Sequence, residues 1–202
     1  MNKIFYTSLF VGVMLISNAS AAMKEKLNKP DFTQESLSLM ELINVRHSER
    51  AFNPQRPIDN QTLSEILWVA FGFNATGKRT IPTARNEQKM NVYVLRKNGV
   101  WLYNAKENQL EKVSDENAIP FTVAGGQDFV LNAPIHLIYT SSDERFGEMH
   151  VGSAYQNVYL YAASKGLATV VRGMFDRDEL HRVLRVPNGE MVLAHQPIGY
   201  PY

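Results

Sequence analysis

Apolar residues recur at Leu63, Ile66, Leu67, Ala70 and Phe71, and Gly72 stops the run. That i, i+3, i+4, i+7, i+8 spacing is one face of an amphipathic helix, with Trp68 near its edge. Thr62 and Glu65 stand three apart at its start and predict a capping box. The same spacing in Ser38 and Glu41 predicts a shorter helix, which delivers Arg46 to a C-terminal end where cations are favoured. Pro54 and Pro57 then break the chain. From Gly152 to Gly166 the helical period returns, with Ala154, Val158, Tyr161 and Ala162 on one side. Residues 176–186 read as a last helix, with Asp176 or Asp178 near its N-cap and Pro187 after its end.

Elsewhere the period is two. Residues 90–95 alternate, Asn98 and Gly99 form a hairpin turn, and residues 100–103 return. Residues 110–113 begin a third extended piece. The near-continuous apolar run at 133–141 suits a buried central strand. Residues 167–171 and 191–200 also read as strands, and 23–32, polar and carrying Pro30, as an extended arm. There is no internal repeat, low-complexity tract or linker. The expected architecture is one α+β domain built on a mainly antiparallel sheet flanked by helices.

The N-terminus changes the picture of where this domain works. Lys3 precedes an apolar run, Ile4 to Ile16, broken only by Thr7, Ser8 and Gly12, and small residues follow through Ala22. This is the pattern of a secretory signal, with cleavage expected after Ala21 and the folded domain spanning 22–202. The run falls short of the roughly 20 residues a spanning helix needs. No cysteine near the cleavage site suggests a lipoprotein, and no twin arginine suggests folded export. The expected location is the periplasm, without stable membrane association after cleavage; an uncleaved N-terminal anchor is the alternative.

The 202 residues carry 21 basic and 20 acidic side chains, and Lys3 is the only charge in the leader. The mature chain is therefore formally neutral and offers no reason to expect nucleic acid or a membrane surface as partner. Cysteine is absent, which excludes disulfide and thiolate chemistry and is compatible with export. Histidines at 47, 136, 150, 181 and 195 show no ligand spacing, so no metal site is predicted.

Three segments carry candidate chemistry. Arg46, Ser48 and Arg50 would share one face of an extended segment, and they combine guanidinium forks with a hydroxyl, a set suited to phosphate; a solvated helix end is the plainer reading. In residues 80–86, Pro82 fixes the backbone and Thr83 can cap a following turn, leaving free N–H groups. Asn86 there offers both donor and acceptor to a heterocycle edge. An ordinary capped turn would look the same. In residues 170–175, Gly173 follows a strand and permits close approach of a planar ligand, or simply makes a tight turn. The acidic stretch 141–150 reads as a solvated turn, and Tyr155, Tyr159 and Tyr161 as core and interface residues. No G-x-S-x-G elbow is present.

In this order the three segments resemble the nitroreductase superfamily of FMN-dependent oxidoreductases, from about Leu39 to Pro201. "RHSER" resembles the family's R-x-S-x-R/K segment, on which Arg46, His47, Ser48 and Arg50 would grip the FMN phosphate and ribityl chain. "LSEILWVAFGFN" followed by "RTIPTARNEQ" resembles the form typical of the thiazole- and oxazole-forming dehydrogenases (SagB/ThcOx type). There Pro82, Thr83, Ala84 and Asn86 would line the flavin ring. "VGSAYQNVYLYAASKGLATVVRGMF" resembles the family's long dimer helix and the segment beyond it, where the Gly173 N–H would face flavin N5. The resemblance implies an α+β sandwich that forms a homodimer with FMN at its interface. The implied activity is ping-pong hydride transfer to or from a small organic substrate, with NAD(P)H a candidate donor. No side-chain acid or base is obligatory, so no catalytic residue is assigned. An exported flavin-binding protein without turnover, and an NAD(P)H nitro- or quinone reductase retained at the membrane, are the other readings.

Two departures stand out. Arg172 occupies a position where many members carry a small or acidic residue; its charge would either lie near the flavin, to stabilise the anionic hydroquinone or bind an acidic substrate, or point away. Many members also carry a basic residue after the final G-Y-P, whereas here Tyr202 ends the sequence. The phosphate would then depend on Arg46 and Arg50, with Lys78, Arg79 or Arg85 as helpers.

Overall fold

A computed structural model describes residues 23–202. The expected signal segment lies outside the described residues. Seven strands form one sheet in the order β1-β4-β3-β2-β5-β7-β6, and every neighbouring pair is antiparallel. The strands are β1 (Lys24–Lys26), β2 (Met90–Arg96), β3 (Gly99–Asn104), β4 (Gln109–Ser114), β5 (Ile135–Ser141), β6 (Ala168–Thr169) and β7 (Met191–Gly199). Four helices accompany them: α1 (Leu39–Val45), α2 (Asn60–Phe71), α3 (Gly147–Lys165) and α4 (Arg177–Val183).

Both faces of the sheet are covered. Val92 and Val94 point to the side packed by α2 and α3, together with Leu137, Tyr139 and Ile198. Tyr93 and Leu95 point to the other side, under Leu180, Val183 and Leu184 of α4 and the turn that follows it. The alternation at 90–95 therefore sorts residues between two cores, and β5 is buried along its whole length. The α2 stripe is buried as its spacing predicts. Each of its large apolar side chains contributes about 1.5–3 kcal/mol relative to exposure.

Four local expectations need correction. The N-cap of α2 is Asp59, whose carboxylate accepts from Thr62 N at 2.8 Å, so Thr62 lies inside the helix. Glu65 cannot close a capping box, because its carboxylate accepts from Tyr161 Oη (2.6 Å), Asp31 N (2.9 Å) and Gln61 Nε2 (2.7 Å). Helix α3 begins at Gly147, five residues before the apolar period becomes visible, and ends at Gly166 in the left-handed region (φ 62°). Asp143, expected in a solvated turn, is buried and nucleates that start, its Oδ1 accepting from Arg145 N and Phe146 N. The extended arm contains β1, which closes the sheet edge against β4, and the strand expected at 167–171 shortens to β6.

Candidate functional site

Residues 46–50 leave α1 in extended form. Arg46 is the C-cap (φ −59°, ψ 125°), donating its N–H to Leu42 O. Glu49 N then bonds to Thr169 O at 3.0 Å, which ties the segment to β6. The Glu49 carboxylate folds back onto Ala51 N and Arg50 N (2.8 and 2.7 Å), and these bonds hold its pKa below the usual range. It is thereby occupied by its own turn.

Arg46 and Ser48 converge on Tyr159 of α3. The Arg46 guanidinium lies 4.9 Å from the ring centroid, and Ser48 Oγ is 2.9 Å from the phenol oxygen. That same oxygen accepts from Val171 N at 2.8 Å. One tyrosine thus joins the first candidate segment to the third. As a tyrosine it reads in the sequence as a core or interface residue, and only the tertiary structure shows this second role. A neighbouring cavity of about 240 Å³ is lined by Val45, His47 and Glu49, the odd-numbered side of the segment. Ser48 and Arg50 are exposed, and Arg46 is half-buried against Tyr159, which lines the same cavity. His47 donates from Nδ1 to Val45 O at 3.0 Å.

Gly173 is exposed. A Cβ built there would meet nothing within 4 Å, so the space before it is open. The side chain of Arg172 is committed within the fold. It is buried, and its guanidinium donates to Thr122 O (2.7 Å), Gln127 Oε1 (2.6 Å) and His195 Nδ1 (3.0 Å). Its backbone also exchanges both hydrogen bonds with His195. Arg172 therefore clamps the 122–127 loop onto β7 and fixes the strand leading into Gly173.

The histidines at 136 and 195, far apart in sequence, meet in this core with Nδ1 of His136 2.9 Å from Nε2 of His195. The tautomers follow from Arg172, which can only donate. His195 Nδ1 accepts, so its Nε2–H donates to His136 Nδ1, and the remaining proton sits on His136 Nε2, which is buried without a hydrogen-bond partner. Burial drives the His195 pKa well below its usual 6.5, helped by His136 and Arg172. Burial likewise lowers His136 to about 3, against a smaller opposing effect of the Ala133 backbone.

The unfolded chain therefore takes up these protons first. Stability contributed by the pair is complete above about pH 6.5 and is lost as pH falls from there toward about 3. The loss is at most about 1.4 kcal/mol per pH unit for each ring. Thermal melting between neutral pH and the onset of carboxylate titration should show this slope, and His195→Gln should flatten it. An unchanged slope would contradict the assignment.

The middle segment sits elsewhere. Ala84 N donates to His150 Nε2 near the start of α3 at 2.8 Å. Thr83 makes no side-chain cap to the short turn Ala84–Asn86; its Oγ1 accepts from Gln88 N instead. The expectation of a helix N-terminus is thus replaced by a single turn in which Arg85 and Asn86 are left-handed (φ 51° and 55°). Pro82 and Asn86 are exposed, while Thr83 and Ala84 are half-buried. Nine residues of α3 separate His150 from Tyr159, roughly 13 Å along the axis. One chain therefore joins residues 46–50 to 171–173 and holds 82–86 well apart from the Tyr159 junction.

This architecture is matched by known proteins. A model of the nitroreductase family matches residues 43–200. A protein of Methanocaldococcus jannaschii, provisionally named a nitroreductase, is 29% identical over 194 residues, covering 86% of this chain and 96% of its own. A crystal structure from Ralstonia eutropha JMP134, also provisionally named a nitroreductase, superposes with a TM-score of 0.78 at 33% identity, covering 89% of this chain and 90% of that one. A structure described as an oxidoreductase containing FMN shares the fold, with a TM-score of 0.62 at 20% identity and coverage of 87% and 83%. The chain belongs to the nitroreductase family and is, at that level, a nitroreductase-type oxidoreductase.

Proposed function

We propose that the protein is an FMN-dependent oxidoreductase whose active sites form between two copies of the chain. The observation that carries this reading is the Tyr159 junction. It brings the half-exposed Arg46 and the exposed Ser48 to the segment after β6 that leads to the open space before Gly173. Those residues suit the group: guanidinium forks and a hydroxyl for the phosphate, and unfilled backbone surface for a planar ring. Arg46, His47, Ser48 and Arg50 would hold the phosphate end. Gly173 would offer its N–H at the ring edge. Pro82, Thr83, Ala84 and Asn86 would come from the second copy, with Asn86 at the pyrimidine edge. Arg172 would contribute its backbone alone, because its side chain is committed within the fold.

When bound, FMN supplies hydride transfer between a donor, NAD(P)H among the candidates, and a small organic substrate. The chain's own part is to bind, orient and shield. In the exported form, the FMN would be acquired outside the cytoplasm; either another reductant would replace NAD(P)H as donor, or the organic substrate would itself be oxidised and its electrons passed to oxygen.

One experiment tests the reading. The purified 22–202 chain should take up FMN and turn yellow, and dithionite should bleach it. Bleaching by NADPH under anaerobic conditions would identify that donor. Arg46→Ala should weaken FMN binding roughly 10- to 150-fold, the range of a charge-assisted hydrogen bond worth about 1.5–3 kcal/mol. A chain that cannot be loaded with FMN would overturn the proposal, and unchanged affinity in the variant would remove Arg46 from the phosphate site.

A further inference from the structure

The loop at 82–88 poses its own question. Arg85, Asn86 and Gln88, none of them glycine, are left-handed at φ 51°, 55° and 54°. Backbone held this way costs energy and persists only where its surroundings impose it. Most hydrogen bonds of the loop are internal: Asn86 N to Thr83 O, Gln88 N to Thr83 Oγ1, and Gln88 Nε2 to Asn86 Oδ1. From outside it, the adjacent Lys89 pairs with Glu87 at 2.7 Å, and two side chains reach it from other elements. Arg79 donates to Gln88 Oε1 at 2.8 Å from between the rings of Phe71 and Phe73. His150 accepts the Ala84 N–H at 2.8 Å, immediately before the two consecutive left-handed residues.

We propose that His150 is the positioning residue for this loop, with Asp143 as the group that sets its ring. The backbone N–H of Ala84 can only donate, so His150 Nε2 accepts and the ring proton lies on Nδ1. That Nδ1 is buried without a hydrogen-bond partner and faces Asp143 Oδ2 at 4.0 Å. Asp143 Oδ1 is spent on the turn that starts α3, so its other oxygen faces the imidazole from a fixed position. The carboxylate favours the proton on Nδ1 and thereby keeps Nε2 free to accept. The chain of contacts from Asp143 through His150 to Ala84 sets the turn that projects the exposed Asn86. This rests on the proposed role of Asn86 at a flavin edge, but the anchor itself can be tested without flavin.

The two amides distinguish position from bulk. A glutamine oxygen can reach the place of Nε2, whereas asparagine is too short. In the FMN-free protein, His150→Asn should raise hydrogen exchange at Ala84 N at least about tenfold, the scale of a lost hydrogen bond, while exchange at Val158 in α3 stays unchanged. FMN affinity should fall by a similar factor, and His150→Gln should restore both. Unchanged exchange at Ala84 in the asparagine variant would overturn the anchor. Faster exchange with unchanged FMN affinity would overturn the positioning role. Equal loss in both variants would reduce His150 to a packing residue. Failure of the parent protein to bind FMN would refute the flavin reading, while the exchange result would still decide the anchor.

Discussion

Replacing Arg172 by methionine is expected to lower the thermal midpoint by roughly 4–12 °C, corresponding to about 2–3 kcal/mol in a domain of this size. The reason is what the change leaves behind. Thr122 O, Gln127 Oε1 and His195 Nδ1 would all lose their donor, and the first and last lie in the interior. His195 would then keep one ring nitrogen as an unsatisfied acceptor, so the His136 pair would lose the group that fixes its tautomers. The loop at 122–127 would also lose its clamp beside Gly173. Lysine should not rescue the variant, because one ammonium cannot match the fork that reaches three acceptors at once. Differential scanning calorimetry decides the matter: a midpoint within about 1 °C of the parent would mean that the network contributes almost nothing at equilibrium.

The second large effect is expected at α1. This helix has no buried residue, and Leu39, Met40 and Ile43 are 60%, 75% and 52% exposed. Beside it lies a largely apolar groove of about 400 Å³ lined by Leu42, Trp68, Val69, Leu160 and Tyr161 among others. On the proposed dimer, this surface is a subunit contact. Each apolar side chain of this size contributes about 1.5–3 kcal/mol when fully buried, and two-fold symmetry counts each one twice. The double variant Met40→Glu, Ile43→Glu should therefore be monomeric at micromolar concentration by light scattering. It should also fail to retain FMN although its Arg46 is intact. A variant that remains dimeric would move the contact away from α1, and a monomeric parent protein would overturn the composite site.

Local periodicity made much of the fold legible. The Ser38–Glu41 box and the Asn98–Gly99 hairpin rest on interactions within a few residues, and the α2 stripe and the β5 run show as apolar patterns within one contiguous segment, all of which a sequence displays directly. The Thr62–Glu65 box failed because Glu65 is claimed by Tyr161 and Asp31, partners 96 and 34 residues away. The start of α3 was hidden because Gly147, Glu148 and Met149 show no apolar period, and Asp143 supplies the missing signal only once it is seen buried. In the candidate site, the segments at 46–50, 82–86 and 170–175 were visible as residue types in a recognisable order. The Arg172–His195–His136 chain was not, since it joins positions 23 and 59 residues apart. The anchoring of Ala84 by His150, across 66 residues, was equally invisible.

The strand order also dictates when this molecule can become a protein. Strand β7, the last in the chain, lies inside the sheet between β5 and β6, so residues 191–199 complete the middle of the structure. Until they emerge, β5 has one open flank and His136 has no partner. A chain leaving the ribosome could not close this sheet until residues 191–199 were free to pair with β5 on one side and β6 on the other.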